Sequence, residues 1–255
     1  MYPSNPNGYQ KLIKSCKYFF AKNPVLVIDY VYEGENKKWT ATLNETQKYI
    51  DFTNVSNKFW IIDVFDGYHA KTFVSSIIPK LYKCDVKDLR LMDDIITFED
   101  FLLLSSNVRK IALYRNTIKK ENGEIVSLEK IVKVLDKLKF ITFVNDFNNS
   151  AITLNTVKEL LEIPHFSKIN DFTLDLIPET FSVDQMFTYL KKNKQTKFRI
   201  QFRDTISEAY KIQLEEIVDE IIDAENHDYK IPDIYYDGAN SEKFNKLHSL
   251  FLKML

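Results

Sequence analysis

Three short stretches decide the fold: Leu89-Arg90-Leu91, Ile111-Ala112-Leu113 and Ile141-Thr142-Phe143. Each places one residue of free character between two apolar ones. Side chains alternate along a strand, so this pattern turns the outer pair toward a core and the middle residue toward the other face of a sheet. The form returns at Phe172-Thr173-Leu174, Ile200-Gln201-Phe202 and Ile234-Tyr235-Tyr236, and the first members of successive triplets lie 22, 30, 31, 28 and 34 positions apart. That is a repeat with loops of variable length.

Helical patterns fill the intervals: Phe98 to Ser106, Ile125 to Leu138, Leu154 to Ile163, Val183 to Lys192 and Glu208 to Ala224. Thr97, Ser182 and Ser207 stand at three of the starts, where a side-chain oxygen can accept from free helical N–H groups. A strand around Trp60 and Ile62, then a helix from about Ala70 to Tyr82, extends the series backward, and a helix over Ser241 to Met254 caps its far end. Alternating strands and helices either wind into a doubly wound sheet or stack as a solenoid. A period of roughly 20–30 residues with an L-x-L core marks leucine-rich-repeat-like stacking. A doubly wound nucleotide enzyme would carry a Gly-rich turn after its first strand, and the five glycines, at 8, 34, 67, 123 and 238, are too scattered to build one.

Ahead of the repeats, apolar positions 9, 12, 13, 16 and 20 recur at helical spacing before Pro24. The runs Val25 to Tyr32 and Trp39 to Leu43, joined by Glu33-Gly34-Glu35-Asn36, predict a hairpin, with further strands at Lys48 to Phe52 and Lys58 to Phe65. The expected fold is therefore α/β: a leucine-rich-repeat-like strand–helix solenoid with a parallel sheet over residues 59–255, preceded by a short helix in residues 1–24 and a small β hairpin region over residues 25–58.

Hydrophobic residues make up 45% and charged residues 28% of the 255, the balance of a globular protein. Thirty-five basic residues offset 36 acidic ones, leaving a net charge of -1 and no field that would draw the chain to nucleic acid or to a membrane surface. No signal peptide is evident and no apolar run is long enough to span a bilayer, so the expected location is intracellular, cytoplasmic or nuclear. Cys16 and Cys84 have no metal-site spacing and read as buried thiols. Three short glycosylation-type triplets, at Asn44, Asn54 and Asn148, carry no weight without a signal peptide.

Candidate chemistry is sparse. Asp93-Asp94 with Glu99-Asp100, and the loop Asn145 to Asn149, are carboxylate- or amide-rich, but neither has the Gly-centred spacing of a calcium loop. His69, His165, His227 and His248 fall on separate elements. The run Lys191 to Lys197 closes a helix, where lysines suit the negative end of the dipole. The residues thus predict no cofactor, no metal and no catalytic set. A rival reading, an α/β enzyme acting on a small molecule, would gather Asp93, Asp94 and Asp146 at strand ends.

At Leu12-Ile13-Lys14-Ser15-Cys16-Lys17-Tyr18-Phe19-Phe20-Ala21-Lys22-Asn23-Pro24 the sequence resembles the final helix of an F-box. With the stretches Ile78 to Lys87 and Val157 to Phe166, the chain is similar to the F-box proteins expanded in nematodes, in which an F-box precedes an associated leucine-rich-repeat-like region. The resemblance implies a substrate-recognition subunit of a cullin-based ubiquitin ligase, with the F-box on the ligase adaptor subunit and the repeats on the target. An F-box has about three helices, and only something like the last stands before Pro24, so adaptor binding is expected to be weak.

The binding surface follows from strand geometry. If the outer triplet members, such as Leu113, Phe143, Leu174 and Phe202, are buried under helices, then Arg90, Ala112, Thr142, Thr173, Gln201 and Tyr235 form one row on an open concave wall. Asp88, Lys110, Phe140, Asp171, Arg199 and Asp233 form a second row. The expected partner-binding residues are Arg90, Lys110, Thr142, Asp171, Thr173, Arg199, Gln201 and Tyr235, with Trp39 and the pair Tyr235-Tyr236 as possible surface anchors.

Overall fold

The structure is a computed structural model, and it describes residues 5–33, 39–43, 46–52, 54–68 and 74–254. Two helices, α1 (Pro6–Ser15) and α2 (Lys17–Lys22), lead into β1 (Val25–Glu33), β2 (Trp39–Leu43), β3 (Thr46–Ile50) and β4 (Lys58–Gly67). Then follow α3 (Val74–Ile77), β5 (Leu81–Cys84), β6 (Asp88–Met92), β7 (Ile95–Thr97), α4 (Phe98–Ser105), β8 (Lys110–Tyr114), β9 (Thr117–Lys119) and α5 (Leu128–Lys133). The remainder comprises β10 (Phe140–Val144), α6 (Thr156–Leu161), β11 (Asp171–Ile177), α7 (Val183–Leu190), β12 (Lys197–Phe202), α8 (Glu208–Asp223), β13 (Asp233–Tyr235) and α9 (Ser241–Leu252).

Eleven strands share one sheet in the order β13-β12-β11-β10-β8-β6-β4-β1-β2-β3, with β5 beside β4. From β1 through β4, β6, β8, β10, β11 and β12 to β13 every pairing is parallel, and β2 and β3 close the other end antiparallel. The expected hairpin is present as β1 and β2, paired Glu33 to Trp39; its Gly34-Glu35-Asn36 turn lies outside the described residues, as do His69 and the start of the helix expected from Ala70. The hairpin region and the repeats are continuous in one mixed α/β architecture.

All six triplets place their first and third residues in a single core, together with Phe101 and Leu104 of α4, Ile131 and Val132 of α5, Leu160 of α6, Met186 and Leu190 of α7, Leu214 and Ile221 of α8 and Leu247 of α9. Helices α5 to α9 pack each against the next in chain order. One sheet face is therefore covered by helices, and across the middle of the sheet the other is left to the central triplet residues.

The turns after the strands repeat as well. Met92, Tyr114, Val144 and Asp175 lie in one cross-strand row, and the next residues Asp93, Arg115 and Leu176 all take left-handed backbone, with φ of 53°, 52° and 56°. Such residues cost on the order of 1 kcal/mol each, a cost met here by ladder bonds that continue past the strands: Asp93 N–H donates to the Tyr114 carbonyl and Arg115 N–H to that of Val144. Buried Asn116 stitches two such turns, donating to the Leu91 carbonyl at 2.8 Å and accepting from Asp94 N–H at 3.1 Å.

Several expectations need correction. The first helix is two, broken at Cys16, which is extended and exposed rather than buried; the break lets the chain reverse so that Tyr9 hydroxyl donates to the Asn23 carbonyl just before β1. The helix expected to reach Tyr82 stops early, because Pro79 has no N–H to extend it and residues 78–80 tighten to a 3-10 turn before β5. Thr97 and Ser207 cap their helices, whereas the Ser182 side chain makes no capping bond. Trp39 and Tyr236 are core residues, not surface anchors.

Candidate functional site

The open face is built from register. One row crosses eight parallel strands: Tyr32, Asp66, Arg90, Ala112, Thr142, Thr173, Arg199 and Asp233. A second runs Tyr30, Val64, Asp88, Lys110, Phe140, Asp171 and Lys197. Thr173 thus neighbours Arg199 and not Gln201, so the expected rows slip by one two-residue frame at β12. Gln201 and Tyr235 pair with each other one step further toward the C-terminal ends of the strands.

At the β1–β8 end of this face lies a cleft of about 680 Å³. Its centre is Arg90. Asp88 accepts from Nε at 3.2 Å and from Nη2 at 2.8 Å, and Asp66 accepts from Nη1 at 3.2 Å. Three of five guanidinium N–H groups are thereby spent on holding the group in place, and the side chain of Asp88 raises its proton affinity further. Lys110 reaches the same Asp88 only at 3.6 Å and is half exposed. Two tyrosine pairs line the cleft: Tyr30 with Tyr32, ring centres 5.2 Å apart, and Tyr68 with Tyr114, 4.9 Å apart and edge to face. Burial, followed by the charge of Asp66 at Tyr30 and by Tyr68 at Tyr114, raises both phenols above their ordinary value, so they stay neutral donors. Ala112 and Thr142 give the cleft a floor of small side chains.

The β11–β13 end of the same face is already occupied by α9. Phe244 packs edge-on to Tyr235 at 5.4 Å, His248 Nδ1 sits 3.2 Å from Asp233, and Phe251 lies under the Arg199 guanidinium at 5.6 Å and the Lys197 ammonium at 5.1 Å. Asp171 is 3.8 Å from Arg199. Of the eight expected partner-binding residues, Arg90, Lys110 and Thr142 therefore line the open cleft. Asp171, Arg199 and Tyr235 are engaged in or beside the α9 contact, and Thr173 and Gln201 border a smaller cavity there, of about 500 Å³. Sequence reasoning missed Tyr30, Tyr32, Asp66, Tyr68 and Tyr114. The signal available was the i, i+2 spacing of Tyr30 and Tyr32, which puts both rings on one face of β1.

The carboxylates of the enzyme reading are each taken up by neighbouring groups. Asp93 holds Arg115 through two bonds of 2.8 and 2.9 Å. Asp94 is buried, accepts from Val74 N–H at 3.2 Å and from Ile95 N–H at 2.8 Å, and is pushed above the usual carboxylate range by that burial. Burial also pushes Asp146 up, but hydrogen bonds from Asn149, Asn148 N–H and Thr117 outweigh it and hold the group low. Among the described residues no three His, Cys, Asp or Glu side chains cluster as a metal site. His165 and His227 bond backbone carbonyls, Cys84 is pushed up to about 12 by burial, and Lys191 and Lys194 of the basic run pair with Glu220 and Asp228. No described helix is long and apolar enough to cross a membrane. Neither a protein-family model nor a curated protein matches the chain.

Proposed function

We propose that this chain is a protein-binding module in which strand–helix repeats stack as a leucine-rich-repeat-like solenoid and the open sheet face holds a protein target. One observation carries the reading: an uncovered sheet face that sets four tyrosines around a guanidinium fixed by two carboxylates. Tyr and Arg are the residues that dominate protein interfaces, and rigid ones lose little entropy when a partner arrives. The layout of the wall, where β6, β8, β10, β11, β12 and β13 lie side by side in chain order, supports the stacked architecture over a doubly wound one, whose strand order would reverse. The F-box resemblance extends the proposal: the wall selects a target inside the cell for ubiquitination, and α1 and α2 stand where adaptor contact would lie, with Leu12, Tyr18 and Phe19 exposed.

The test is affinity capture with the tagged protein and two folded double variants. Lys110→Glu with Tyr32→Ala alters the cleft; Lys158→Glu with Ile212→Ser alters the helix side. The cleft variant loses the principal captured protein and the helix-side variant keeps it. The opposite pattern, with thermal melts showing both variants folded, contradicts the proposal.

A further inference from the structure

The open face displays, at one end, the kind of object it accepts. Helix α9 runs along β13 and meets the wall with an aromatic stripe, Phe244, His248 and Phe251, at i, i+4 and i+7. Phe244 and Phe251 flank the imidazole, ring centres 5.8 and 6.1 Å away in near-parallel stacks. The last ring of the stripe lies against Arg199. Arg90 occupies the same cross-strand row as Arg199, four strands away. Among the described residues, Asp88 and Asp66 hold it by hydrogen bonds, where Arg199 has only Asp171 at 3.8 Å, but no ring covers it.

Between the two arginines, Ala112, Thr142 and Thr173 form a low floor. Four strand spacings of 4.7–4.9 Å make this trough roughly 19 Å wide, and a helix with its side chains is about 10–12 Å across. One more helix fits beside α9. The charge pattern adds a second requirement. Asp88 is shared between Arg90 and Lys110, and the Lys110 ammonium, at 3.6 Å, is the cation of the cleft with the weaker claim on it.

We infer that the Arg90 cleft receives an amphipathic helix of a partner protein, which lays an aromatic stripe at i, i+4 and i+7 spacing across Arg90 and places a carboxylate on Lys110. This rests on the protein-binding reading and specifies its ligand. The ring over Arg90 repeats the Phe251–Arg199 contact, and the tyrosine pairs close around it edge-on, the arrangement aromatic rings prefer.

The probe is a hydrocarbon-stapled helical peptide with Phe, Trp and Phe at positions 1, 5 and 8 and a Glu one turn away, titrated into the full chain by calorimetry. Saturable one-to-one binding is expected. It weakens about tenfold or more in Lys110→Glu and in Tyr32→Ala, and also when the three peptide aromatics are replaced by Ala. Folding of each variant is checked by its melt, and the peptide lacking aromatics tests the same claim on the unaltered protein. No binding, or binding indifferent to all three changes, overturns the helix assignment. The protein-binding reading itself falls only if the cleft variant retains the captured partner, so the two failures are distinguishable.

Discussion

Leu113 and Gln201 stand on strands of one sheet and differ in the face to which they point. Leu113 is fully buried beneath the helices, and Gln201 is exposed on the open side. Replacing Leu113 or Phe143 by Ala removes packed atoms and leaves a cavity, at a cost of roughly 2–5 kcal/mol. Gln201→Ala stays within about 0.5 kcal/mol. Urea melts decide this, and equal losses at both sets contradict the register. Residues of this first kind were legible in sequence because their hydrophobicity is itself the cause of their burial. The frame of β12 was not. Lys197-Phe198-Arg199-Ile200-Gln201-Phe202 alternates over its whole length, so a shift of two residues leaves the pattern unchanged, and only pairing with Asp171 and Thr173 fixes it. Arg90, Lys110 and Asp88 were readable as open-face residues, but Tyr30 and Tyr32, which help make them a site, come from β1, which looks in sequence like a hairpin region ahead of the repeats, and Asp66, Tyr68 and Tyr114 stand at the ends of β4 and β8, outside the triplets that carry the pattern.

Elements were legible where a cap or a long amphipathic stripe marks them. Thr97 and Ser207 sit at the starts of α4 and α8, and both accept the N–H bond that their position calls for. The expected helix over Ile125 to Leu138 shrank to α5 because Ile125 bridges Lys119 instead, and because the chain after Val132 descends through tight turns, Leu135 N–H to Val132 and Leu138 N–H to Leu135. Those turns bury both leucines without a helix. Helix α9 was expected to cap the end of the series. It does so through Leu247, which enters the main core, and it also reaches around β13 onto the open face. Leu247→Ala should cost roughly 2–5 kcal/mol and speed amide exchange in β13, whereas Phe251→Ala should free Arg199 while leaving exchange in β8 and β10 unchanged. Exchange that accelerates evenly across the sheet in both variants would mean that α9 is not a distinct cap.

At the scale of the molecule, the parallel wall has two differently managed faces. Helices bury one in a continuous core. The other is closed near its start, where Tyr9 of α1 packs with Val25, Val27 and Trp60, and near its end by α9, which leaves the tyrosine-lined cleft between them. This division follows from chain order: strands laid down one beside the next put every connecting helix on the same side. The central claim is that the stretch of this face left open between α1 and α9 is where a target binds. The most direct measurement is hydroxyl-radical footprinting of the captured complex against the free protein, read at individual side chains. The account predicts protection at Tyr30, Tyr32, Tyr68, Tyr114 and Phe140, with Leu154 and Ile212 on the helix side oxidised as before. Protection confined to Leu154, Ile212 and their neighbours, with the four tyrosines as reactive as in the free chain, would contradict it.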